Sequence, residues 1–108
     1  MNIHININSP IVSETIADAC AGQGHKIVDA LVSADVVIVD NRTKVFDGIA
    51  YGKRVIQFIW NDSVESAEDL EIFNRYKGRL FIRHQDDGPY HGIGPILKLL
   101  PEISFTDR

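Results

Sequence analysis

The sequence predicts a three-layer α/β/α domain with a mainly parallel sheet of four or five strands, flavodoxin-like or Rossmann-like. Three observations predict it. Strand-like runs alternate with segments of helical period, beginning with a strand, which is the order of linked βαβ units. Two runs, "DVVIVD" and "RVIQFIW", are almost continuously apolar, as in strands covered on both faces. Capping and turn residues punctuate the boundaries, with no linker, repeat or low-complexity tract between them, so residues 1–108 read as one domain.

The elements follow in order. "NIHINI" alternates polar and apolar residues, with Ile3, Ile5 and Ile7 on one face of a half-buried strand. Ser9 then caps a helix that Pro10 opens; Val12, Ile16, Ala19 and Cys20 share its inner face, and "GQG" ends it. "HKIV" is a weak short strand, and "DALVSA" allows at most a turn or two of helix. That link is shorter than the dozen or so residues a parallel crossover usually takes, so either the helix is minimal or the strand barely one. "DVVIVD" is the clearest strand. In the helix after it Val45, Phe46, Ile49 and Ala50 line the inner face, and Gly52 stops it. "RVIQFIW" is the fourth strand. Ser63 or Ser66 caps the next helix, and Ser66 with Asp69 forms a capping-box-like start. Leu70, Phe73 and the Tyr76 ring or Lys77 stem face inward there, and Gly78 closes it. "RLFIR" is a fifth strand and "HQDDGPYHG" a loop. "GPILKLLP" is a last helix, with Pro95 at its start and Pro101 beyond its end.

Composition removes several function classes. Of 108 residues, 44% are hydrophobic and 24% charged, enough for one small core. The net charge is −4 without a basic cluster, so neither nucleic acid nor an anionic membrane is an expected partner. Cys20 is the sole cysteine, which excludes an internal disulfide, and the four histidines are too scattered for a zinc pattern. No metal and no cofactor is expected. There is no basic start followed by an apolar leader and no apolar run near the ~20 residues of a membrane span, so the expected location is cytoplasmic.

In open α/β sheets ligands bind beyond the carboxyl ends of the strands, where strand order reverses. The residues there are Asn8, Ser9 and Pro10 after the first strand, Asp40, Asn41, Arg42 and Thr43 after the third, Asn61 and Asp62 after the fourth, and His84, Gln85, Asp86 and Asp87 after the fifth, all expected on one edge. Thr43 is the expected cap of the third helix, with Asn41 the alternative. Free amides at that helix start, with the positive end of its dipole, favour an anion, and Arg42 adds a charge-assisted contact to phosphate. Asp47, one turn on, is placed to accept from ribose hydroxyls. Each has a plain structural reading too: caps are usually only caps, and an acid near a helix start is stabilising without any ligand. The chain lacks G-x-x-x-x-G-K-[ST], G-x-G-x-x-G after its first strand, and G-x-S-x-G.

The stretch "ADVVIVDNRTKVFDGIAYGKRVI", Ala34 to Ile56, resembles without a gap the nucleotide-binding half of GT-B glycosyltransferases, closest to the CDP-glycerol glycerophosphotransferases. Asp40, Phe46–Asp47 and Gly52–Lys53 fall in register with that family's pattern. Two serines that help hold the nucleotide phosphates there correspond to Arg42 and Thr43, and Arg54 stands in place of a proline. A weaker likeness, through "SADVVIVD" and "AYGK", is to nucleoside 2-deoxyribosyltransferases, with Phe46 where their nucleophilic glutamate belongs. Asp40 also stands where receiver domains of response regulators carry their phosphoacceptor, but Asn8 and Ser9 replace the acidic pair that holds magnesium in them.

The expected function is a small nucleotide or nucleotide-sugar binding domain, half of a GT-B-like architecture and not a complete enzyme alone. The alternatives are a non-catalytic interaction module, which meets a protein partner or a second copy of the chain, and a deoxyribosyltransferase-like enzyme.

Overall fold

A computed structural model describes residues 1–60, 66–88 and 90–106. Five strands, β1 (Asn2–Asn6), β2 (Lys26–Ile27), β3 (Val36–Val39), β4 (Arg54–Ile59) and β5 (Leu80–His84), form one sheet in the order β2-β1-β3-β4-β5. Every pairing is parallel. Four helices, α1 (Pro10–Gly22), α2 (Arg42–Ala50), α3 (Ala67–Arg75) and α4 (Gly94–Thr106), complete the three-layer fold. This is the flavodoxin-like strand order, with its reversal between β1 and β3. Among the described residues no helix is long and apolar enough to cross a membrane.

Strand alternation divides the interior into two cores. Val36, Ile38, Ile56 and Phe58 face Ile16 and Cys20 of α1 and Ile96, Leu100 and Ile103 of α4. Val37, Val39, Val55 and Leu80 face Val45 of α2 and Ile72 of α3. All four residues of β3 are buried, as its unbroken apolar run requires. The short link after β2 resolves in both expected ways: β2 has two residues, and only a 3-10 turn, Leu31–Ser33, precedes β3.

Three local expectations are corrected and one alternative is decided. Phe46 and Ala50 are exposed, because they share one side of the helix and Gly48, on the opposite side, sits against the sheet; a Cβ on Gly48 would stand 2.5 Å from Val55 Cγ2. The helix is seated on Val45 and Gly48, with Ile49 half-buried. On α3 the buried position is Ile72, and Leu70 is 44% exposed, while Phe73 and Tyr76 pack at the core margin. Of the two serines expected as the α3 cap, Ser66 serves, in a complete capping box with Asp69, and Ser63 lies outside the described residues. Finally, α4 continues through Pro101 rather than ending before it. Proline there removes the amide that would bond the Leu97 carbonyl four residues earlier. The side-chain amide of Gln23, at the end of α1, donates to that carbonyl at 3.5 Å.

The outer edge of β5 is guarded. The Arg79 carbonyl and the Gln85 amide bond to β4, so even-numbered residues between them turn their peptide groups away from the sheet. The outward carbonyl of Ile82 accepts from Arg83 Nη1 at 2.9 Å.

Candidate functional site

The crevice at the strand reversal is bounded by the turn after β1 and the turn after β3. Ser9 closes the first: its backbone is extended and its Oγ accepts from the Val12 amide at 3.4 Å, capping α1. Asn41 opens α2. Its backbone is extended, and its Oδ1 accepts from the Lys44 amide at 3.0 Å. Thr43 is therefore not the cap. It already lies within the helix, and Asn41 is three residues before the amide it satisfies, the spacing a cap needs.

Asp40 ties the two turns together. One carboxylate oxygen, Oδ2, accepts from the Asn8 amide at 2.8 Å. The other accepts from Lys44 Nζ at 2.7 Å and from Asn41 Nδ2 at 3.3 Å. Lys44 also donates to the Asn6 carbonyl at 3.1 Å and to Asn8 Oδ1 at 3.0 Å, so its three ammonium protons have three acceptors. The pair is largely withdrawn from water, with 15% of the Lys44 side chain and 9% of the Asp40 side chain exposed. Such a pair is favourable only when its remaining donors and acceptors are met, and here they are. The lysine thus bridges the turns after β1 and β3.

Lys44 is the residue that the sequence reading missed. The signal was present, since Asp40 and Lys44 are four apart across the helix start, but the intervening cap disguised the pair as a turn followed by a helix.

The remaining expected residues lie further out. Arg42 Nη1 pairs with Glu68 Oε2 of α3 at 2.5 Å, with side chains 41% and 72% exposed. Thr43 and Asp47 are exposed on α2 and stand outside the Asp40 network. Asn61 lies outside the described residues. The structure therefore gathers Asn8, Asp40 and Asn41, leaves Ser9 beside them as a cap, and places Arg42, Thr43 and Asp47 on the helix.

The first intrahelical bond of α2 runs from the Val45 amide to the Asn41 carbonyl, at 3.3 Å. The amides of Arg42 and Thr43 precede it, at the positive end of the helix dipole. At the neighbouring start of α3, burial pushes the Asp69 carboxyl up. The amide and hydroxyl of Ser66, the Gln57 amide and the Arg42 charge outweigh that, leaving it below its ordinary value.

A cavity of 470 Å³ lies on the opposite side of the domain from α2, between α1 and α4, lined by Ala19, Gly22, Gln23, Asp86, Gly94, Leu97 and Lys98. No protein-family model, curated protein or solved structure matches this chain.

Proposed function

We propose that the chain binds a phosphate-bearing small molecule, a nucleotide or nucleotide-sugar, at the start of α2, and serves as a binding half rather than a complete catalyst. The supporting observation is the strand order, which reverses between β1 and β3 and sets the α2 start at that reversal. The Arg42 and Thr43 amides supply donors there, and the Arg42 guanidinium, now on Glu68, supplies a charge-assisted partner from the first residue of the helix. Its pairing with Glu68 is exposed, and such pairs are worth roughly 0–1 kcal/mol, so exchanging the carboxylate for a phosphate costs little. Because Lys44 and Asp40 are committed to each other between the two turns, the ligand lies over the helix start, with Asn8 at its rim and Asp47 one turn along for the ribose.

The test is a thermal-shift screen with nucleoside mono- and diphosphates, CDP-glycerol and UDP-sugars. A ligand at ~100 times its Kd stabilises the fold by about 2.7 kcal/mol, several degrees in Tm for a domain of this size. Arg42→Ala removes the guanidinium and should weaken binding. Arg42→Pro removes the amide as well, yet proline suits the first helical position and the extended Asn41 before it. It should weaken binding further with the fold intact. Equal binding by all three proteins excludes this site.

A second reading, a protein-interaction module, is favoured by exposed Phe46 and Tyr51 on and after α2 and exposed Leu70 on α3. It predicts that no nucleotide shifts Tm in the parent protein.

A further inference from the structure

The cavity between α1 and α4 is distant in the fold from the α2 start and belongs to neither reading above. Small residues create it: Ala19 and Gly22 are one turn apart on α1, and Gly94 is the first residue of α4. Its 470 Å³ falls within the ~300–1,000 Å³ range of small-molecule sites. Ala19 and the buried Leu97 supply apolar wall. Two opposite charges, Asp86 and Lys98, both exposed, line the mouth of the same space. Neither is ion-paired among the described residues; Asp86 Oδ1 accepts only from the Gly88 amide, at 3.1 Å. At the Gln23 end the side-chain amide reaches across to the Leu97 carbonyl that Pro101 frees, at 3.5 Å.

We infer that this cavity is a binding site for a small zwitterion with an apolar body, an α-amino acid or dipeptide with an aliphatic side chain. The ammonium group meets the Asp86 carboxylate, the carboxylate meets the Lys98 ammonium, and the aliphatic part covers Ala19 and Leu97. Opposed charges favour this class because a zwitterion pairs with both at once, whereas a purely apolar ligand gains from neither and a singly charged one from only one.

The experiment is a titration of the full chain followed by amide chemical shifts, with leucine, leucyl-leucine and doubly capped N-acetyl-leucine amide as probes. Expected are saturable shifts at Ala19, Gly22, Gln23, Gly94 and Leu97 with an uncapped probe, at least tenfold weaker binding of the capped one, and comparable weakening in Lys98→Met and Asp86→Asn. Gly22→Leu should abolish binding by filling the space; a Cβ at Gly22 meets nothing within 4 Å, so the fold tolerates it. Absence of shifts with both uncapped probes overturns the inference. So does equal binding of the capped compound, which would make the cavity merely apolar, or unchanged binding in Gly22→Leu, which would place the probe elsewhere.

Discussion

Asp40 and Lys44 show how one pair of side chains decides what a crevice can hold. Replacing Lys44 by Met leaves a mostly buried carboxylate with amide donors but no counter-charge. Denaturant unfolding should register a loss of about 3 kcal/mol. Adding Asp40→Asn should recover a large part of it, so a double-mutant cycle yields a strong positive coupling. Gly48 is the other residue with little freedom. Gly48→Ala gains helix propensity but drives a Cβ into Val55 Cγ2, and overpacking of about 1–3 kcal/mol outweighs a propensity gain of about 1 kcal/mol. Unfolding curves should show a net loss that shrinks when Val55→Ala makes room. Neither residue was legible beforehand. Lys44 reads as an ordinary helix-surface cation and Gly48 as an indifferent helix glycine until the sheet beneath them is known. Phe46 was misplaced for the same reason: apolarity said "inside", and the seating of the helix on Gly48 said otherwise.

At the scale of elements, capping chemistry was the most readable part of the sequence. Ser9–Pro10 and Ser66–Asp69 start α1 and α3 as read, since a cap is a contact between residues three apart. The capping box carries a pH signature. The folded Asp69 carboxyl is a stronger acid than its ordinary value of 3.8, so its contribution is complete above that value. It is lost as pH falls through the lower folded value. Asp69→Asn should therefore flatten the acid limb of a stability-versus-pH curve below about pH 4, measured by urea unfolding at a series of pH values. The end of α4 was not readable, because the side chain that meets the carbonyl freed by Pro101 is Gln23, far away in sequence. Pro101→Ala restores the missing amide. Its interior-helix advantage of up to ~3 kcal/mol exceeds the ~0.4–1 kcal/mol lost through a freer unfolded chain, so Tm should rise. Gln23→Ala should then cost less than it does in the parent.

Across the whole molecule, the alternation of strands and helices was enough to give the three layers, because covered strands leave an unbroken apolar signature. The order of strands was not, since it depends on which neighbour each strand chooses, and only the brevity of β2 hinted that it lies at an edge. The interior offers its own reporter of integrity. Burial pushes the Cys20 thiol up to about 11, and its side chain is fully enclosed by α1, α4 and the sheet. At neutral pH a thiol reagent in excess should label it only as fast as the domain opens, and that rate should rise with urea in step with unfolding. One detail of the periphery bears on storage rather than folding. Parallel sheets end in peptide groups that another chain can adopt, and β5 presents the apolar run "LFI" at such an edge. The Arg83 guanidinium occupies an outward carbonyl of that strand, as a gatekeeper would. Losing it should leave the melting temperature almost unchanged and shorten the shelf life of a concentrated solution.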